Sequence, residues 1–288
     1  MLGPLLSAVL ALVAPTFGHA MLLTQGPTRS VEGTQQSSSI DVSGAKYYAL
    51  LIGTDHYDSY SPLHNAIGDV TNIGNELRDM YGFNVKLLTD PSKTDIFNCF
   101  EEYKKINFGP ADELLVYVAG HGAFDSDLLK TGLLALKASK PGDLTKDSFF
   151  LFSALRDMLD GLPVKHVLLV LDVCFGADFS QEAAKLQDPT RGLDSADKAT
   201  EEEFLGRKMK SITRQFIASG PVEVPDGAPG KGSPFANGVL VQLRKYEKLL
   251  TLEELFSGVE MLKSLPVHGT WGDDQPGSVF VFRLKAKP

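Results

Sequence analysis

Two residues of this chain are of types that together could carry out covalent catalysis, and each closes a strongly apolar run. Cys174 ends the stretch Lys165-His-Val-Leu-Leu-Val-Leu-Asp-Val-Cys-Phe-Gly176, in which every residue from Val167 to Cys174 except Asp172 is apolar. His121 ends Glu113-Leu-Leu-Val-Tyr-Val-Ala-Gly-His-Gly122, where it is flanked by two glycines. A thiol attacks only as the thiolate, and a histidine within hydrogen-bond reach can take its proton or hold it as an ion pair. Alone, either residue has a blander explanation. A single cysteine in an apolar strand is commonly a small core hydrophobe, and a single buried histidine is commonly just a satisfied polar group.

The elements that would position the pair give them more weight. Both runs read as strands buried on two faces, the signature of a parallel sheet. In an open α/β sheet, ligands bind in the crevice beyond the carboxyl ends of the strands, and both residues would project from that edge. The rest of the chain fits the same frame. Strands are expected at 47–53, 83–88, 113–120, 167–174, 212–218 and 278–284. Between them the spacing of apolar residues predicts helices at 66–80, 94–106, 149–159, 236–249 and 252–265. Cys99, in the second helix beside Ile96, Phe97 and Phe100, reads as a packing residue. This alternation implies βαβ crossovers and a mostly parallel six-stranded sheet with helices on both faces.

Composition bounds the function classes. The chain has 288 residues, 43% hydrophobic and 22% charged, with a net charge of −8. An acidic chain without basic stripes lacks the electrostatic footprint of nucleic-acid binding. Two cysteines on different elements cannot form a disulfide framework, and no Cys/His spacing suggests a structural metal site. Near the amino terminus the predominantly apolar run Leu5–Ala14, followed by Gly18-His19-Ala20, reads as a signal peptide over 1–20, too short to span a bilayer. That leader would make the protein secreted or periplasmic. A second reading starts the chain at Met21 and leaves it cytoplasmic, since no Lys or Arg precedes Arg29. Residues 21–45 have the Thr/Gln/Ser/Gly content of a flexible linker. Residues 177–210 break the strand–helix rhythm with a dense run of charges, including Glu201-Glu-Glu203, and read as a second linker.

With these residues in view, the chain resembles the caspase-like cysteine peptidases, in particular the metacaspase, paracaspase and bacterial caspase-homologue branches. The anchors are Tyr48-Ala-Leu-Leu-Ile-Gly53, Leu63-His-Asn-Ala-Ile-Gly-Asp69, Val118-Ala-Gly-His-Gly122, Leu171-Asp-Val-Cys-Phe-Gly176, Phe216-Ile-Ala-Ser219 and Ser233-Pro-Phe-Ala-Asn-Gly238. The separation agrees as well, with the His roughly 50 positions upstream of a Cys closely followed by Gly. The resemblance implies a three-layer caspase-like fold over 46–286, with a large-subunit part at 46–176 and a small-subunit part at 211–286. It implies a Cys174–His121 dyad that cleaves peptide bonds through an acyl-enzyme. The backbone N–H groups of Gly122 and Cys174 would form the oxyanion hole.

Specificity follows residue by residue. Caspases hold a substrate aspartate with arginines, but the matching stretches 63–69 and 218–224 contain no Arg or Lys here. They carry acids instead. Asp172 lies two before the nucleophile, Asp69 falls where metacaspases place a pocket acid, and Glu223 lies in the loop where paracaspases supply another. Clustered carboxylates select a cationic side chain, and arginine can be gripped by two oxygens at once. The expected substrate is therefore a polypeptide with Arg, or secondarily Lys, at the cleaved position. Lys185, Arg191, Lys198, Arg207, Lys208 and Lys210 in the linker would be sites for self-cleavage. Two residues depart from the family pattern: Ala119 replaces a common Ser, and Phe175 replaces a common polar residue. No cofactor is required by the resemblance, although calcium activation, as in many metacaspases, stays open, as does homodimerisation. The alternative function is a catalytically silent module of the same fold acting in assembly or regulation.

Overall fold

The structure is a computed structural model that describes residues 40–176, 179, 200–245 and 249–285. Its centre is a six-stranded sheet of β1 (Tyr47–Gly53), β2 (Asn84–Thr89), β3 (Glu113–Gly120), β7 (His166–Val173), β8 (Thr213–Ala218) and β10 (Val267–Thr270). Their spatial order is β10-β8-β7-β3-β1-β2. All neighbours pair in parallel except β10, which runs antiparallel to β8. The chain steps from β1 outward to β2, then returns across β1 to β3. This places the reversal of strand order, where α/β sheets open a crevice, between β1 and β3.

The central strands are continuous apolar runs because each residue faces one helical layer or the other. Leu50, Val116, Leu169 and Phe216 point to one face, where they pack with Ile96, Phe100 and Tyr103 of α2 (Lys93–Lys104) and with Phe152, Leu155 and Leu159 of α3 (Phe152–Asp160). Their neighbours Leu51, Leu115, Leu168 and Ile217 point the other way. They meet Val70, Ile73 and Leu77 of α1 (Ala66–Tyr81) and Phe235, Val239 and Leu243 of α5 (Pro234–Lys245). The period-2 alternation of a strand thus feeds two cores at once, giving three layers. Cys99 is buried in the α2 core, and burial pushes its thiol up to about 11. It is a packing residue.

The helix ends are written in the local sequence. At α2 the Ser92 hydroxyl accepts the Asp95 N–H while the Asp95 carboxylate accepts the Ser92 N–H, a reciprocal capping box. The same device, with Thr200 and Glu203, starts α4 (Glu201–Lys208). That helix lies inside the stretch read from charge alone as a linker. Its apolar side, Leu205, packs with Val42 and Met209, so residues 40–45 are also packed rather than a free linker end. Charge density does not exclude a helix whose acids sit in the first turn and whose Arg207 and Lys208 sit in the last, in line with the helix dipole. Those two residues are expected cleavage points that lie in a helix, which would have to unwind to be cut. Lys185, Arg191 and Lys198, like residues 1–39, lie outside the described residues.

Two further sheets were not anticipated. β4 (Gly122–Asp125), β5 (Thr131–Leu134) and β6 (Phe150–Leu151) form an antiparallel three-stranded sheet in a stretch read as loop. The strand expected at 278–284 is real as β11 (Val281–Arg283), but it pairs with β9 (Leu249–Thr251) rather than joining the main sheet. The sixth place there is taken by β10. The helix expected at 252–265 is confined to α6 (Leu252–Phe256). No helix among the described residues is long and apolar enough to cross a membrane.

Candidate active site

The register of the sheet fixes the relation between the two reactive side chains. On β3 and β7, Ala119 pairs with Asp172 and Gly120 with Val173, so His121 and Cys174 follow at the same level from adjacent strands. Both line a cavity of about 170 Å³ beyond the strand ends, together with Leu63, Ala66 and Asp69 from the start of α1 and with Glu223 to Asp226 from the loop after β8. The cavity thus lies beyond the carboxyl ends of β3 and β7, one strand over from the reversal of strand order.

His121 is held at three points. Its backbone N–H donates to the Tyr57 hydroxyl at 2.8 Å, and that hydroxyl donates to the Thr54 carbonyl at 3.0 Å. Its ring lies 4.8 Å from the ring of Tyr57 and 5.8 Å from that of Tyr60. Its Nε2 is 2.9 Å from the Ser61 carbonyl oxygen. A carbonyl can only accept, so Nε2 carries the hydrogen and Nδ1 is left with the lone pair. That nitrogen can receive a proton from a thiol. Cys174 is partly buried, and burial pushes its thiol above the usual range. The Val224 N–H, donating to Sγ at 3.3 Å, pulls the other way. The chain turns sharply after the sulfur, with Phe175 in the left-handed region at φ 59°.

Gly122 sits against the backbone of Cys174. A Cβ there would lie 2.0 Å from the Cys174 carbonyl oxygen. No side chain can occupy this position without moving one strand end away from the other, which explains the glycine after the histidine. The close approach keeps the Gly122 N–H beside the sulfur, where it also favours the thiolate.

Asp69 and Asp172 are almost fully buried at the cavity, 2% and 6% exposed. Burial pushes the Asp69 carboxyl up to about 6 and the Asp172 carboxyl up to about 7, each raised further by the other acids around it. Glu223 also lines the cavity but is exposed. The structure therefore brings together every residue singled out from the sequence: His121, Cys174, Gly122, Asp69, Asp172 and Glu223. It adds Asp226, whose carboxylate accepts the His64 N–H at 2.8 Å.

Three positioning residues were missed. Tyr57 supports His121 as described. Asn65 clamps the loop that forms the far wall: its Nδ2 donates to the carbonyls of Asp226 and Ala228, and its Oδ1 accepts the N–H groups of Gly230 and Gly232. Ser233 bonds to both buried acids. Their partners lie far away in sequence, and only the quoted motifs around Asn65 and Ser233 hinted at them. Other histidines have structural partners, His56 on Asp90 and His166 between Thr213 and the Pro110 carbonyl. Among the described residues, no group of three His, Cys, Asp or Glu side chains converges to hold a metal ion.

Comparison with known proteins supplies context. Residues 46–264 match the family model described as the caspase domain. Metacaspase-1 of Saccharomyces cerevisiae is 28% identical over 119 residues, 38% of this chain and 27% of the yeast protein. Metacaspase-1 of Eremothecium gossypii is 34% identical over 91 residues, 28% of this chain and 20% of that protein. The match thus spans only about a quarter of these relatives' length. Among solved structures, protein GSU0716 of Geobacter sulfurreducens superposes with a TM-score of 0.54 at 17% identity, covering 82% of this chain and 99% of that one. Caspase-1 of Spodoptera frugiperda superposes with a TM-score of 0.50 at 16% identity, covering 79% and 89%. At these identities the structural likeness is one of fold.

Proposed function

The chain belongs to the caspase domain family, and from that premise we propose that it is a cysteine endopeptidase cleaving after Arg, and more weakly after Lys. The observation that carries this reading is the convergence, in one cavity, of a thiol and an imidazole from adjacent parallel strands with two buried carboxylates. In the proposed reaction the substrate carbonyl lies against Sγ of Cys174. As the S–C bond forms, His121 Nδ1 takes the thiol proton, and the oxygen of the tetrahedral intermediate is met by the N–H groups of Gly122 and Cys174. His121 then returns the proton to the departing amine, leaving an acyl-enzyme. Water, activated by the same imidazole, hydrolyses the thioester and restores the thiol. Asp69 and Asp172 receive the guanidinium of the residue before the cleaved bond, with Glu223 and Asp226 adding negative potential at the mouth.

The test is hydrolysis of matched fluorogenic peptides ending in Arg, Lys or Asp, with and without calcium, by the wild type and by Cys174→Ala. Arg-directed turnover that vanishes in the variant is the expected result. Asp-directed turnover would overturn the pocket assignment while keeping the peptidase. Absence of turnover on every peptide would overturn the enzyme and leave a silent assembly module of the same fold.

A further inference from the structure

The two acids of the pocket are joined through one residue that no part of the reaction above uses. Ser233, 5% exposed, donates its backbone N–H to Asp69 Oδ2 at 2.9 Å and its hydroxyl to Asp172 Oδ2 at 2.7 Å. The hydroxyl oxygen accepts the Ala236 N–H at 2.9 Å, so Ser233 also caps the start of α5. The hydroxyl donates to Asp172, and the same side chain also lowers the Asp69 carboxyl, so one serine serves both acids. The Tyr117 hydroxyl donates to the same Oδ2 at 3.3 Å. Asp172 Oδ2 is thereby saturated, while no described group donates to Oδ1. On the other side, Gly232 is pressed so close that a Cβ there would lie 2.7 Å from Asp69 Oδ1. Each acid has one oxygen pinned from the 232–233 turn, and the orientation of the pair is set by that turn.

We propose that Ser233 is the specificity-determining positioning residue of the pocket, fixing Asp69 and Asp172 as a paired acceptor that matches the two-pronged guanidinium of arginine better than the point charge of lysine. This rests on the reading of the cavity as a site for a basic side chain. The chemistry of the surroundings makes such a device necessary. The carboxyl of Asp172 faces Asp69 from α1, Tyr117 from β3, Asp226 and Glu223 from the loop after β8, and His121 and Cys174 at the mouth. Asp55, after β1, faces Asp69. Burial and mutual repulsion push both acids toward protonation near neutral pH, and a protonated carboxyl is a poor partner for a cation. A hydroxyl that donates to the carboxylate favours the ionised form and opposes that tendency. Without it, Asp172 would protonate at higher pH and be held by the longer Tyr117 hydrogen bond alone.

The experiment compares wild type, Ser233→Ala, Ser233→Gly and Ser233→Thr in the full chain. Steady-state kinetics on peptidyl-Arg and peptidyl-Lys substrates are measured from pH 5.5 to 8.5, with the melting temperature of each variant. Glycine is included because it is a tolerated helix cap, so it separates loss of the cap from loss of the hydroxyl. The expected result for Ala and Gly is a rise of about tenfold in KM for the Arg substrate, the scale of one hydrogen bond to a charged group, falling on KM more than on kcat. The Arg/Lys ratio should shrink toward one, and the acid limb of kcat/KM should move to higher pH, with Thr restoring both. Folded Ala and Gly variants that keep the wild-type Arg/Lys ratio and acid limb would overturn the proposal and leave Ser233 a helix cap. A wild type indifferent to Arg, Lys and other residues would overturn the basic pocket itself, and this inference with it.

Discussion

Burial pushes the Cys174 thiol up, and on the proposed mechanism the sulfur becomes a nucleophile as His121 takes its proton. Cys174→Ala and His121→Ala should each lower peptide turnover by about 10⁴-fold or more, measured as kcat on an Arg substrate. Loss of only a few-fold in either would sink the dyad. Gly122→Ala tests the close approach of the two strand ends. Its methyl would meet the Cys174 carbonyl at 2.0 Å, displacing the N–H proposed as an oxyanion donor. Turnover should fall on the order of 100- to 1000-fold, with a lower melting temperature. Tyr57→Phe keeps the ring beside His121 but removes the buried acceptor of its N–H. Denaturant unfolding should show a loss of about 1–3 kcal/mol, accompanied by a drop in kcat. A variant as stable and as active as the wild type would show that this hydroxyl does not hold the histidine.

At the scale of elements, the far wall of the cavity is tied to the start of α1 by Asn65 and by Asp69, and Asn65 makes most of the bonds. Asn65→Ala removes four hydrogen bonds to residues 226–232. Hydrogen exchange should then lose its protection at the Gly230 and Gly232 amides, and KM for an Arg substrate should rise. Unchanged protection would mean that other contacts hold the loop. This wall also shows where the sequence is readable and where it is not. Strands such as Val167–Cys174 and helices such as Ala66–Tyr81 are legible because burial imposes a period on consecutive residues. His121, Cys174 and Asp172 are legible because they interrupt or end such runs. β10 is not, since Val267-His-Gly-Thr270 is a short edge strand without a run or a clear alternation. β11 was legible as a strand, but its partner β9 lies across the chain from it, and pairing leaves no local mark. Tyr57, Asn65 and Ser233 were missed for a related reason. Their partners across the site are 61 or more positions away, as with Ser233 and Asp172, through contacts that no local pattern encodes.

For the whole molecule, the raised acids set stability and recognition against each other. Asp172, pushed up to about 7, and Asp69, pushed up to about 6, bind protons more tightly folded than unfolded. Their contribution to stability is therefore present in acid and is lost as pH rises from about 4 to about 7. His166 acts in the opposite sense: burial pushes it down to about 4, so its cost appears as pH falls from about 6.5 to about 4. Asp172→Asn should accordingly raise the melting temperature at pH 8 while weakening Arg-substrate binding, read by scanning fluorimetry and by KM. A variant less stable at pH 8 would contradict the sign. The strand order carries a different implication. Residues up to Gly176 supply β1, β2, β3 and β7, and residues from Thr200 supply β8 and β10. The two sets meet along one seam, from the pair His166–Thr213 to the pair Leu171–Ala218. Across it Asn65 and Asp69 reach to residues 226–233. Covalent continuity is not what unites these halves, so two separately made polypeptides are expected to reassemble on mixing. One would bring the reacting atoms together with Asp69 and Asp172, and the other the facing wall at residues 223–233 that holds those acids, so that on the proposed function neither half works until it has found its complement.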